Sequence, residues 1–130
     1  MADFFVSGGD SDGSSSLLRP SGHLTIFPNV SFDKTIRVPV TTLDDWSEQN
    51  HVEKVDFLWL DLQGGELAAL RGAKKLLTNV KLIYTEFLIA PLYEDAPLYP
   101  EFLSWMRERN FHVVREEFPS RDAGNVVFAR

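Results

Sequence analysis

Three carboxylates stand where an α/β chain collects its chemistry. Asp61 sits near the end of the apolar run Val55 to Leu62, Glu66 follows the pair Gly64-Gly65, and Glu86 lies near the end of the next run, Lys81 to Phe87. In open α/β sheets, ligands bind at the carboxyl ends of the strands, beside the point where strand order reverses. If the two runs are parallel neighbours, Asp61, Glu66 and Glu86 share one rim, with Gln63 among them. Carboxylates held close together push at least one pKa upward, whereas the helix start after the glycines favours the ionised form of the nearest acid. One of them could serve as a base towards a hydroxyl, or the cluster could hold a divalent cation. The same spacing also fits plain architecture, in which Asp61 and Glu66 cap the helix and Glu86 faces solvent.

The elements that must position these groups follow from apolar periodicity. Val55, Phe57, Leu58, Trp59, Leu60 and Leu62 form a nearly continuous apolar run, which predicts a strand covered on both faces. Gly64 and Gly65 end it. A helix is expected next, with Leu67, Leu70 and Leu77 on one stripe, Glu66 in its first turn, and Lys74 and Lys75 in its last. Gly72 falls inside that helix and reads as a point of close packing on the sheet. The second unit is a strand from Lys81 to Phe87, a loop with Pro91 and Pro97, and a helix begun by Pro100 that carries Phe102, Leu103 and Met106. Asn110 closes that helix in a left-handed conformation. Residues 111–115 and 125–129 then suggest an antiparallel pair.

Upstream, Asp3 to Val6 predicts a short strand and Ser7 to Ser16 a mobile loop with nothing to bury. Leu24 to Phe27 and Thr35 to Val40 alternate as half-buried strands do, and Pro39 confines the second to a sheet edge or ends it. Thr42 reads as an N-cap, with Leu43 and Trp46 on one helical face. The expected architecture is α/β: a single domain spanning 1–130, with short strands and a Gly/Ser loop in 1–40. Residues 41–130 form β-α units resembling the back half of a doubly wound sheet.

Composition narrows the functions. The 130 residues are 44% hydrophobic and 25% charged, an ordinary globular balance for one core. A net charge of −6 speaks against a nucleic-acid partner, because phosphate binding draws on clustered Lys and Arg. No apolar run approaches the roughly 20 residues that span a bilayer, so no membrane partner and a cytoplasmic location are expected. The absence of cysteine removes disulfides, thiolate nucleophiles and Cys-based zinc sites, and His23, His51 and His112 are scattered singly. Asp10-Ser11-Asp12-Gly13 begins like a calcium loop but has Ser21 where the bidentate Glu belongs. Tyr93, Tyr99 and Trp105 fit either a substrate cleft or, more commonly, helix packing.

The segment Leu58-Trp59-Leu60-Asp61-Leu62-Gln63-Gly64-Gly65-Glu66-Leu67, followed by Leu70-Arg71-Gly72-Ala73, resembles the most recognisable stretch of the FkbM-like methyltransferases. That pattern is a hydrophobic strand, then Lys-Ile-Asp-Val-Glu-Gly-x-Glu-Leu, then Leu-Lys-Gly-Ala. Val40-Thr41-Thr42-Leu43-Asp44-Asp45 looks like the family's helix start, and Ile83-Tyr84-Thr85-Glu86 like its next strand with a terminal acid. Ser14-Ser15-Ser16-Leu17 is similar to its upstream serine-rich stretch.

The resemblance implies a Rossmann-like, class I methyltransferase-type domain that moves a methyl group from S-adenosylmethionine to a hydroxyl of a sugar or other small metabolite. It implies catalytic roles for Asp61, Glu66 and Glu86, and cofactor contacts from Asp61, Gln63 and Gly64, with no metal. The family's lysine is Trp59 here and its first glutamate is Gln63. The glycine-rich turn and ribose-binding acid that hold the cofactor in such families are not visible before Asp44; Gly8, Gly9 and Gly13 lie in a serine-rich loop. The chain therefore reads as the carboxyl-terminal portion of the domain, without its cofactor half.

Two functions remain open. One is a methyltransferase domain acting on a small-molecule acceptor, inactive as this chain alone. The other is a non-catalytic interaction module derived from such an enzyme. Its motive is the strand 55–62, whose edge would lie open and apolar and so recruit a partner or a second copy.

Overall fold

The two apolar runs around the glycine pair become neighbouring parallel strands. In the computed structural model, which describes residues 1–130, the order is β1 (Ala2–Gly9), α1 (His23–Ile26), β2 (Val30–Val38), α2 (Leu43–Gln49), β3 (Phe57–Leu60) and α3 (Glu66–Arg71). A single 3-10 turn, Leu76–Thr78, leads to β4 (Leu82–Leu88), α4 (Tyr99–Arg107), β5 (His112–Glu117) and β6 (Ala123–Ala129). The protein is mixed α/β. Strands β1 and β2 form a two-stranded antiparallel sheet, and the other four form a sheet in the order β3-β4-β6-β5. Within it β3 and β4 run parallel, while β6 runs antiparallel to both β4 and β5.

Register decides which side chains share a face. Leu60 lies opposite Thr85, and Ile83, Phe87, Val126 and Phe128 project to the same side. These residues meet Leu67 and Leu70 of α3 and Phe102 and Met106 of α4 in the main core. The covered face is thus built as expected for β-α units. The reverse face carries Phe57, Trp59, Leu82, Tyr84 and Glu86, and only its carboxyl-terminal end is covered. There Leu88, Leu92 and Tyr93 make a smaller core with Leu18 and Phe32 from the amino-terminal segment.

This arrangement corrects the expectation that the strand beginning near Val55 is buried on both sides. Trp59 is 72% exposed and Phe57 48%, because α3 and α4 cover the opposite face and β3 is an edge strand. The strand is also shorter than its apolar run.

Other corrections have local causes. The helix after the glycine pair ends at Arg71 with Gly72 as its C-cap, and does not continue to Leu77. A Cβ at Gly72 would sit 3.2 Å from the Thr42 Cβ, so its close approach is to the start of α2 and not to the sheet. Asp44 explains the break: its carboxylate accepts from the backbone N–H groups of Lys75 (3.1 and 3.0 Å) and Leu76 (3.0 Å), pinning the separate 3-10 turn. Leu24 to Phe27 is not a strand; its first three residues fall in the short helix α1. Trp46 is exposed, and α2 buries Ser47 and only partly buries Leu43. The serine-rich segment is not free of structure: Ser16 pairs with Phe5, and Ser7 bonds Ser14 and Ser15.

Several local readings agree with the structure. Thr42 Oγ1 accepts from Asp45 N at 3.0 Å, β2 ends before Pro39, and Asn110 is left-handed at φ 63°. The terminal strands pair antiparallel. No helix is long and apolar enough to cross a membrane.

Candidate functional site at the rim of the parallel strands

The chain leaves β3 through a turn that few sequences tolerate. Gln63 has φ 50° and Gly64 φ 93°, two successive left-handed residues, and for a non-glycine side chain that conformation is costly. Gly64 is also closely packed, since a Cβ would sit 3.1 Å from the Ala96 Cβ and 3.2 Å from the Leu18 Cδ1. Glu66 holds the turn. Its Oε1 accepts from Leu62 N at 2.8 Å and from Gly64 N at 3.3 Å, and the residue is only 4% exposed. Ser16 secures the same turn from the amino-terminal segment by donating its hydroxyl to the Gln63 carbonyl at 2.8 Å.

The strained backbone aims the Gln63 side chain between two acids. Its amide nitrogen donates to Asp61 Oδ1 at 2.7 Å and to Glu86 Oε2 at 3.2 Å. The Tyr93 hydroxyl lies 3.1 Å from Gln63 Oε1 and 2.8 Å from the Ser14 carbonyl, with one proton to serve either acceptor. Asp61, Glu66 and Glu86 therefore converge, each offering an oxygen within 4.8 Å of the others. Asp61 is exposed, Glu66 buried and Glu86 half-buried. The Gln63 amide thus bridges Asp61 and Glu86.

Burial, and then the charges of Asp61 and Glu66, push the Glu86 carboxyl up to about 7. Burial also raises Glu66 above the usual carboxylate range, against the opposing pull of the backbone N–H groups it accepts. Burial, with the nearby carboxylates, raises the Tyr93 phenol. Near neutrality the rim thus holds one carboxyl poised to gain or lose a proton. Glu86 faces a cavity of about 270 Å³ shared with Gln63, Ser14, His23 and Asn125.

Asp61, Glu66 and Glu86 meet as their positions at the two strand ends predict, but the residues that support them lie elsewhere in the chain. Tyr93 anchors Gln63 from the loop after β4, whereas Tyr99 stacks on Phe87 and Trp105 lies under the Arg109 guanidinium. Ser14, Ser16 and His23 approach from the amino-terminal segment. Their only signal was the serine-rich likeness around Ser14 to Leu17.

An α/β domain with an acidic rim at the ends of two parallel strands is the class that fold and site define. The sequence pattern described as the Methyltransferase FkbM domain matches residues 2–113, and the chain belongs to that family. The match takes in the amino-terminal hairpin as well as the β-α units. A curated relative, the 2-O-methyltransferase NoeI of Sinorhizobium fredii (strain NBRC 101917 / NGR234), is 39% identical over 97 residues, covering 71% of this chain and 40% of the relative. The chain thus spans well under half of that relative's length. No solved structure matches it.

Family membership implies S-adenosylmethionine as methyl donor. The residues present do not make a full cradle for it. Among the left-handed glycines, Gly9 serves the β1–β2 hairpin, where a Cβ would meet the Asn29 carbonyl at 2.3 Å, and Gly64 opens the rim turn. No glycine-rich strand-turn-helix lies beside β3, whose outer edge has no neighbour to end in a ribose-binding acid.

Proposed function

We propose that this chain is the acceptor side of an FkbM-type O-methyltransferase, corresponding to the carboxyl-terminal portion of a Rossmann-like class I fold. The observation that carries the reading is Glu86: a carboxyl raised to about 7, tethered by Gln63 and facing a cavity large enough for a small metabolite. Catalytic bases work best when their pKa lies near the operating pH. Glu86 takes the proton from the acceptor hydroxyl, with Asp61 beside it to orient the hydroxyl-bearing carbon. Glu66 contributes by fixing the turn. Asp61, Gln63 and Gly64 form the chain's margin of the methyl-donor site, and the remainder of that site comes from additional polypeptide docking along β3. Rate then comes chiefly from positioning the hydroxyl.

Two measurements test this. Calorimetry of the 130-residue chain with S-adenosylhomocysteine is expected to show no micromolar binding, and micromolar binding would overturn the division of labour. In a chain completed by joining the unmatched portion of the NoeI relative in frame, labelled-methyl transfer to hydroxyl acceptors is expected at pH 7. Glu86→Gln should lower it about 100-fold or more. Full activity in that variant removes Glu86 as the base.

The open edge favours a second reading, a non-catalytic interaction module. Trp59, Phe57 and Leu82 are exposed together beside an unpaired strand, a combination that recruits another strand. Under this reading the chain self-associates through the edge of β3, and Trp59→Lys weakens the association. Light scattering that finds a strict monomer over a wide concentration range counts against edge pairing.

A further inference from the structure

A second concavity lies at the end of the sheet away from the acidic rim. Leu77 and Thr78 before β4, Asn110 before β5 and Arg130 after β6 border it, with Arg71 at the end of α3 and Trp105 in α4. It holds about 510 Å³, within the roughly 300–1,000 Å³ typical of small-molecule sites. Arg71, Lys74, Arg109 and Arg130 line it, and no acid does. In a chain of net charge −6, four cations around one groove reverse the sign of the surface locally.

The protein itself holds two of the four in place. The Arg109 guanidinium lies 3.7 Å from the centroid of the Trp105 ring and donates to the Trp105 carbonyl at 2.9 Å. Arg130 donates to the carbonyls of Leu77 (2.9 Å) and Arg109 (3.0 Å), and its guanidinium lies 4.3 Å from the Phe111 ring centroid. A guanidinium carries five N–H groups, so each of these keeps donors to spare in a fixed orientation. Glu101 and Glu108 reach Arg71 and Arg109 at 3.2 and 3.4 Å, but both acids are exposed, and such pairs give way to a more highly charged anion.

Plain architecture accounts for part of this cluster. Arg71 offsets the dipole of the last turn of α3, and Arg130 satisfies carbonyls left free at element ends. Neither role covers Lys74, which lies beyond the end of α3, is exposed, and pairs with no acid. Planar guanidinium forks match the oxygens of a phosphate, and several cations together favour a ligand with more than one negative charge. Leu70 and Leu77 are buried and Trp105 is half-buried, so no apolar side chain projects from the groove towards a lipid surface.

We propose that this groove binds a soluble small molecule through a multiply charged phosphate group. Lys74, Arg71 and Arg109 contact the phosphate oxygens, and Arg130 fixes the wall between β6 and the turn before β4. The site stands apart from the acceptor-side reading, because it opens at the opposite end of the sheet from Glu86.

The test is nuclear magnetic resonance of the 15N-labelled chain at about 0.15 M ionic strength, where long-range attraction between exposed charges is screened. The probes are pyrophosphate, glycerol 3-phosphate and acetate. Pyrophosphate and glycerol 3-phosphate are expected to give saturable shifts at the Trp105 indole N–H, the Asn110 side-chain amide and the Lys74 backbone amide. Pyrophosphate should bind at least about 10-fold more tightly than acetate. Lys74→Gln alters an exposed side chain and should fold, yet weaken pyrophosphate by about 5-fold or more. Lys34→Gln, an equal loss of charge on the exposed β1–β2 hairpin, should leave the affinity unchanged. The proposal falls if neither phosphate compound gives saturable shifts, if acetate binds as well, or if the two variants weaken binding equally. Binding only to vesicles containing phosphatidic acid, with none to the soluble phosphates, would overturn it too.

Discussion

Replacing Glu86 by Gln isolates the electrostatics of the rim from everything else about it. The amide is nearly isosteric, and its oxygen can still accept from Gln63 Nε2, now 3.2 Å from Glu86 Oε2. What disappears is a carboxyl whose pKa rises from 4.5 to about 7, through burial first and then the charges of Asp61 and Glu66. Below pH 4.5 the carboxyl is protonated in both folded and unfolded chains and contributes nothing to the pH dependence. Between 4.5 and 7 the folded chain keeps a proton that the unfolded chain has released, so stability falls as pH rises, and above 7 the loss is complete. A shift of this size at full burial corresponds to about 3 kcal/mol. Glu86 is only half-buried, and solvent screening reduces the expected loss to about 1–2 kcal/mol. Urea unfolding at pH 5 and pH 8 reads it directly. The two proteins should be of nearly equal stability at pH 5, and the Gln variant more stable by about 1–2 kcal/mol at pH 8. Parallel stability curves for the two proteins would refute the claim that Glu86 is held near neutrality, and the base assignment with it.

Three further perturbations probe the scaffold. Glu66→Ala removes the acceptor for the Leu62 and Gly64 N–H groups and should cost about 2–4 kcal/mol by denaturant unfolding, with Glu66→Gln costing less because one oxygen remains. Asp44→Ala frees the Lys75 and Leu76 N–H groups and should cost about 1–2 kcal/mol at pH 7. Burial pulls the Asp44 carboxyl up, but those N–H groups and the Lys75 charge bring it below 3.8 on balance, so its contribution holds above that pH and fades in acid. Gly124→Ala would place a Cβ 2.4 Å from Phe87 Cζ and 2.6 Å from the Glu117 carbonyl, and should lower stability by about 2–3 kcal/mol through forced repacking of β6 against β4. A neutral result there would mean that the β5–β6 hairpin yields more freely than its pairing implies.

The parts of the molecule that local patterns control could be read from the residues. Two strand-like runs, a glycine pair with an acid after it, Pro100 at a helix start and Asn110 at a helix end each carry a short-range cause, and each lies where it was expected. The parallel pairing of β3 with β4 then brought Asp61, Glu66 and Glu86 together. What stayed hidden was decided at long range. The Asp44 carboxylate splits the second half of the expected helix into a separate turn by reaching residues 31 and 32 positions away in the chain. His23 and the serines join the rim only because the amino-terminal segment folds across the sheet, with contacts such as Tyr93 to Ser14 spanning 79 positions. Periodicity over a window of ten residues carries no trace of such contacts. The exposure of Trp59 was hidden for a related reason: an apolar run shows that a strand suits burial, but not whether both its faces find a cover.

The two departures from the family pattern act at different levels. Gln63, where the family has a glutamate, supplies two N–H groups to Asp61 and Glu86 and one oxygen to Tyr93; a carboxylate there would offer no donor to either acid. A neutral bridge lets three acids share the rim, and it leaves burial as the main force that raises Glu86. Gln63 holds that place in a left-handed conformation, at a cost met by Glu66 and Ser16 from two different parts of the chain. Trp59 acts outside the rim. In place of the family's lysine it puts a large apolar surface on an unpaired edge, where a charge would have discouraged strand addition. The Gln63 amide thus keeps the hydrogen bonds of the rim satisfied, while Trp59 leaves the edge strand with an exposed apolar side chain.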